Sequence, residues 1–174
     1  MGDPKRHRKK YQKPHHPWNK TRIEEEKVLK QEYGFRKKHE VWKCQSILRS
    51  LTQQAKKSIA AQGAQAQKEK QLLVQRLHRL GLVQPSASID DVLSITLKNI
   101  LERRLQTIVL RKGLAKTIGQ ARQLIVHEHI IVNGKKITSP NYLVGRDEEA
   151  TINYESHSPY YNADHPERVK PAAK

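Results

Sequence analysis

Apolar positions recur along most of the chain with the spacing of helices, and that spacing changes once. Val41, Cys44, Leu48 and Leu51 lie on one face of a helical stretch predicted over 36–61. Leu72, Leu73, Leu77 and Leu80 continue the pattern in a further helix, which Gly81 ends. Leu97, Ile100, Leu101, Leu105, Ile108 and Val109 form a 3.6-residue stripe that predicts one helix over 97–111, capped by Thr96 and ended by Gly113. Thr117 then caps a helix through about Glu128, with Ile118, Ala121, Leu124 and Ile125 inward. From His129 the period shortens to two. HIIVNGKKI reads as strand, Asn133-Gly134 turn and strand, because Asn-Gly accepts the positive φ angles of a two-residue hairpin.

The remaining elements are shorter. A first helix starts near Thr21, where Thr21 and Glu24 have capping-box spacing, and Gly34 closes it. Gly63 breaks the long second stretch, Gln84 to Ser88 is a connection, and Ile89 to Leu93 is one helical turn. Leu143-Val144 and Ala150 to Tyr154 read as short strands, with Asp147-Glu148-Glu149 in the loop before the last. Prolines at 4, 14 and 17, and again at 159, 166 and 171, predict extended termini. The fold class expected is mainly α with a small α+β domain. Its parts are a basic arm (1–22), a helical domain (23–101), an inserted αα–β-hairpin domain (102–155) and an extended tail (156–174).

Charge changes what these elements are for. The chain has 174 residues and a formal net charge of +17, from 34 basic and 17 acidic residues. Only 36% of residues are hydrophobic, which favours small cores joined by solvated or partner-bound segments. Such a charge resists compaction unless a polyanion neutralises it, and DNA, RNA and an anionic membrane all remain open at this level. Residues 103–137 hold eight Lys or Arg (Arg103, Arg104, Arg111, Lys112, Lys116, Arg122, Lys135 and Lys136) and one acid, Glu128. Lys116, Gln120, Gln123 and His127 follow one another by four, three and four residues, so they line one helix side with Arg122 beside them. Arg104, Thr107 and Arg111 share a face of the preceding helix in the same way. Arg suits phosphate, Gln and His suit ribose or base edges, and Thr117 at a helix start offers a further phosphate contact. No Phe, Trp or Tyr lies between Trp42 and Tyr142, so this domain is expected to read backbone and shape rather than stacked single-stranded bases.

Several classes are set aside. One cysteine, Cys44, permits neither an intrachain disulfide nor a multi-cysteine zinc cluster. His7, His15 and His16 in a Pro-rich arm suit phosphate better than metal, so no metal or cofactor is expected. The first residues lack the apolar run of a signal peptide, and no stretch approaches the ~18–20 apolar residues of a membrane span. Asp90-Asp91 fits a helix start better than catalysis, and no catalytic residue is assigned.

LERRLQTIVLRKGLAKTIGQARQLIVHEHIIVNGKKI (101–137), and above all 121–135, closely resembles the RNA-binding domain named after the fourth protein of the small ribosomal subunit. The start MGDPKRHRKKY, the segments HEVWKCQSILR and LLVQRLHRLGLV, and the insertion after Leu101 resemble the archaeal form of that ribosomal family. The resemblance implies binding to a multi-helix junction of small-subunit ribosomal RNA early in assembly, contact with the neighbouring fifth protein, and an effect on decoding accuracy. It also implies a cytoplasmic place in the ribosome, with neither membrane nor homo-oligomer. The positions it carries over are Arg104, Lys116, Thr117, Gln120, Arg122, Gln123, His127, Asn133 and Lys135. Arg103, Arg111, Lys112 and Lys136 join them on charge, with Lys5, Arg6, Arg8, Lys9 and Lys10 in the arm. Gln106 stands where many bacterial relatives have Asp, which implies an Arg104 freed to reach RNA. The rival readings are an accessory to an RNA-modifying enzyme, another RNA factor using the same domain, and a DNA binder placing the helix face in a major groove.

Overall fold

The computed structural model describes residues 9–162 and 165–168. Helix α1 (Lys20–Glu32) is capped by Asn19, whose side chain accepts from the Arg22 N–H at 3.2 Å. The cap therefore lies two residues before the expected Thr21, whose hydroxyl instead bonds Asn19 Oδ1. At the other end Gly34 adopts φ 61°, and the Phe35 N–H closes the helix on the Lys30 carbonyl at 3.0 Å. Helices α2 (Lys38–Ala60) and α3 (Ala64–Arg79) follow, separated at Gly63. The short α4 (Ile89–Leu93) starts in a capping box between Ser88 and Asp91.

The long helix expected over 97–111 is two helices, α5 (Leu97–Glu102) and α6 (Leu105–Arg111). Arg104 lies between them with extended φ, ψ of −73° and 141°, and its backbone forms a bridge to Leu143. The Val144 N–H donates to the Arg103 carbonyl and the Leu105 N–H to the Tyr142 carbonyl, so tertiary partners replace the missing helical bonds. Helix α7 (Ile118–Val126) begins at Thr117, whose Oγ1 accepts from the Gln120 N–H at 3.1 Å. Its end is closed by Glu128 in the left-handed region (φ 64°), with the His129 N–H on the Leu124 carbonyl.

Strands β1 (Ile130–Val132) and β2 (Lys135–Lys136) form the hairpin, with Asn133 and Gly134 at φ 50° and 73°. Strand β3 (Asn153–Tyr154) pairs with the other edge of β1, giving the antiparallel order β2-β1-β3. Asp147, Glu148 and Glu149 lie in a helix, α8 (Arg146–Ala150), rather than the expected loop. Acidic residues suit its first turn, and the Glu148 carboxylate accepts from the Gly145 N–H at 2.8 Å. The predicted strand at Leu143-Val144 is only the bridge to Arg104, and the tail contains a 3-10 turn, Pro159–Tyr161.

Two apolar cores result. One gathers Tyr33, Phe35, Val41, Leu51, Leu73, Leu77, Val92, Ile100 and Leu101 among α1–α5. The other gathers Leu105, Ile108, Val109, Leu124, Ile125, Ile130, Val132, Val144 and Ile152, where α6 and α7 cover the sheet. Within the sheet Ile130 and Val132 are buried while Ile131 is not, as the two-residue period of a strand requires.

Candidate nucleic acid interface

The eight cations of residues 103–137 divide into two sets. Three turn inward. Arg104 is fully buried and its side chain reaches across to the helical region. Its guanidinium donates to the Tyr33 carbonyl at 3.2 Å, to Gln106 Oε1 at 3.2 Å and to Asn141 Oδ1 at 3.0 Å, and lies 4.0 Å above the Phe35 ring. Burial pulls its pKa down to about 10, which still leaves it charged at neutral pH. Gln106, also buried, donates to the Gly34 and Ile118 carbonyls. The amide thus supplies Arg104 with an acceptor, so the absence of an acid at this position does not free the arginine.

Arg122 forms a two-pronged pair with Glu40 of α2, with both N–O distances 3.0 Å. The side chains are 25% and 7% exposed. Burial alone would raise the Glu40 pKa, but the hydrogen bonds and charge of Arg122, with Arg104 and His39 behind them, hold it below the ordinary value. Arg103 is likewise tied down, to Glu149 at 2.7 Å and to the Val144 and Gly145 carbonyls. The expectation that Arg103, Arg104 and Arg122 present their charge outward is therefore corrected. Each satisfies buried acceptors between segments distant in sequence, where leaving those acceptors unpaired would cost more than a solvent-facing contact returns. Thr107 is buried too, its hydroxyl on the Leu101 carbonyl at 2.9 Å, so the expected row Arg104–Thr107–Arg111 is not a surface.

The second set remains on the surface. Lys112, Lys116, Thr117, Gln123, His127, Asn133, Lys135 and Lys136 are exposed, and Gln120 is half-buried. Arg111 is exposed but paired with Glu102 at 2.8 Å, and Lys136 with Glu155 at 2.6 Å. Asn133 Oδ1 accepts from the Thr151 hydroxyl at 2.6 Å. Gln120 is partly used by the protein itself, accepting from the Lys116 N–H at 2.6 Å and donating to the Glu167 carbonyl at 3.3 Å. Lys116 Nζ reaches the Pro166 carbonyl at 3.3 Å. Lys9 and Lys10 are exposed, while Lys5, Arg6 and Arg8 lie outside the described residues.

The tail contributes side chains that the sequence reading assigned to an extended end. His129 meets the Tyr160 ring at 5.1 Å and its Nδ1 lies 3.0 Å from the Ser158 hydroxyl. His165 covers Tyr160 at 4.6 Å, and His127 lies 6.4 Å from His129. Burial, then the charge of His127, lowers the His129 pKa below its ordinary value, against a smaller opposing pull from Glu155. Tyrosine rings therefore do stand beside the end of α7, although no Phe, Trp or Tyr lies between Trp42 and Tyr142 in sequence. The signal available was the run Ser158-Pro159-Tyr160-Tyr161, whose Ser-Pro pair marks a turn that folds the tyrosines back. Among the described residues no group of three His, Cys, Asp or Glu side chains is gathered as a metal would require, and no helix is long and apolar enough to cross a membrane.

Comparison with known proteins identifies the family of the chain. The S4 domain family model matches residues 103–149, from the turn after α5 to α8. Small ribosomal subunit protein uS4 of Ignicoccus hospitalis is 50% identical over 161 residues, covering 92% of this chain and 97% of the relative. The uS4 protein of Methanococcus aeolicus is 52% identical over 170 residues, covering 97% and 96%. With half of all positions shared along nearly the whole of both relatives, the chain belongs to the uS4 family of small ribosomal subunit proteins.

Proposed function

We propose that this chain is a structural component of the small ribosomal subunit in the cytoplasm, that it binds a junction of small-subunit ribosomal RNA, and that it carries out no chemical step. The observation that carries this reading, within a uS4 family member, is the surface set of the inserted domain. Lys112, Lys116 and Lys135 pair with no carboxylate among the described residues, and they sit with Thr117, Gln123 and His127 on or beside α7 and the hairpin. Unpaired cations on a rigid scaffold displace counterions from a polyanion without first breaking ion pairs of their own. Arg111, in an exposed pair with Glu102 worth little, can exchange a carboxylate for phosphate. We assign the helical unit to 23–101 and the RNA-binding unit to 102–155, a division supported by the two cores. Action early in assembly, contact with the neighbouring fifth protein and an influence on decoding accuracy complete the reading.

Competition between a small-subunit RNA junction and duplex DNA at physiological salt tests it. Junction RNA should win, and replacing Lys112, Lys116 and Lys135 together by Ala should lower the salt slope by about one for each phosphate no longer neutralised. Preference for DNA, or an unchanged slope in the triple variant, would count against the proposal.

A further inference from the structure

Among the described residues of the arm before α1, one large hydrophobic side chain is left bare by the fold. Trp18 is 90% exposed, the highest value among the exposed large hydrophobics of the described residues. It stands immediately before the Asn19 cap, where an apolar residue commonly packs on the fourth helical residue, here Ile23. At that exposure no such packing is made. The indole is nevertheless not on a loose segment. Arg22 Nη2 donates to the His16 carbonyl at 3.3 Å and to the Pro17 carbonyl at 2.8 Å. The same guanidinium is paired with Glu26, which is buried and also accepts from Trp42 Nε1 at 2.9 Å. Further back, the Gln12 N–H donates to Ser46 Oγ at 3.1 Å, and Tyr11 stacks on His39 at 5.7 Å. The backbone on both sides of Trp18 is thus held to α1 and α2 while its ring faces solvent.

The surroundings define what can cover that ring. From residue 1 to 23 the only acid is Asp3, against eight Lys or Arg. Lys9, Lys10, Lys13, His15, His16 and Lys20 are exposed. An apolar pocket of a protein would have to accept this density of positive charge with the ring. An unpaired base of a polyanion brings phosphates to the lysines and a flat π-face to the indole together. We propose that Trp18 is a nucleobase-stacking site, a platform for one unpaired base of RNA that phosphate contacts of the arm hold in place. The proposal rests on the RNA-binding reading above and adds to it a contact that reads a base rather than the backbone.

The chain has two tryptophans, Trp18 and Trp42, so intrinsic fluorescence reports the contact directly. The full-length protein is titrated with the small-subunit junction transcript, alongside W18F and W18A. Saturating RNA should quench the wild type and leave the W18F emission, which comes from Trp42 alone, nearly unchanged. W18A should bind roughly 5- to 150-fold more weakly, the range that loss of one stacked base represents, with W18F largely restored. The salt slope should stay the same in all three, because stacking releases no counterions. Tight wild-type binding without Trp18 quenching, or W18A binding as tightly as wild type, overturns the stacking site and leaves the RNA-binding reading standing. Failure of the wild type to prefer the junction transcript over duplex DNA overturns both.

Discussion

Arg104 and Lys116 are both cations of the same small domain, yet they do different work. Arg104 is buried with three hydrogen-bond acceptors and a ring around it, whereas Lys116 is exposed. Arg104→Ala should therefore cost about 2–4 kcal/mol of folding stability, because it strands buried acceptors. Urea unfolding measures this, and a loss of only a few tenths would contradict the role. Glu40 makes a second prediction. Its folded pKa lies below the ordinary value of 4.5, so its pair with Arg122 stabilises fully above that value. The contribution is lost as pH falls through the lower, folded value. The stability difference between wild type and Glu40→Gln should accordingly shrink on acidification below pH 4.5. A difference that stays constant across that range would rule the linkage out.

Among the elements, the corner between α1 and α2 shows how closely backbone and neighbour are matched. Gly34 has φ 61°, and a Cβ there would stand 2.8 Å from both Gln106 Nε2 and Ile118 Cγ1. Gly113 has a similar φ of 70° but open space around it. Both Gly→Ala changes carry the left-handed penalty of roughly 1 kcal/mol. Gly34→Ala must in addition displace the Gln106 amide or the α7 start, so its thermal midpoint should fall well below that of Gly113→Ala. Equal losses would show that the α1–α2 corner gives way easily. The break between α5 and α6 belongs to this scale too. The apolar stripe runs through 97–109 without interruption, and periodicity reports only which face is buried. It carries no signal that Arg104 will leave the helix to pair with Leu143.

Across the whole molecule, the clamp at Arg104, Gln106, Arg122 and Glu40 joins two cores that are contiguous in sequence only through residues 102–104. Wild-type thermal unfolding should therefore be one cooperative transition, and Glu40→Ala combined with Arg104→Ala should separate it into two in scanning calorimetry. A single transition in that variant would show that the clamp does not couple the cores. The net charge of +17 acts at the same scale, since self-repulsion opposes the compact state and RNA removes it.

Local chemistry was enough to determine the helix cap at Thr117, the stop at Gly81, the Asn133-Gly134 hairpin and the basic character of the inserted domain. Each depends on residues within a few positions of one another, so spacing alone reports it. Which cations face the solvent was decided only in three dimensions. Arg122 lies beside Gln123 and His127 on a helix whose sequence reads as one basic face, yet its partner Glu40 is 82 residues away. A one-dimensional pattern counts charge, but burial and pairing set where that charge is delivered. The exposed lysines are left to meet a polyanion because partners inside the fold have already claimed Arg103, Arg104 and Arg122.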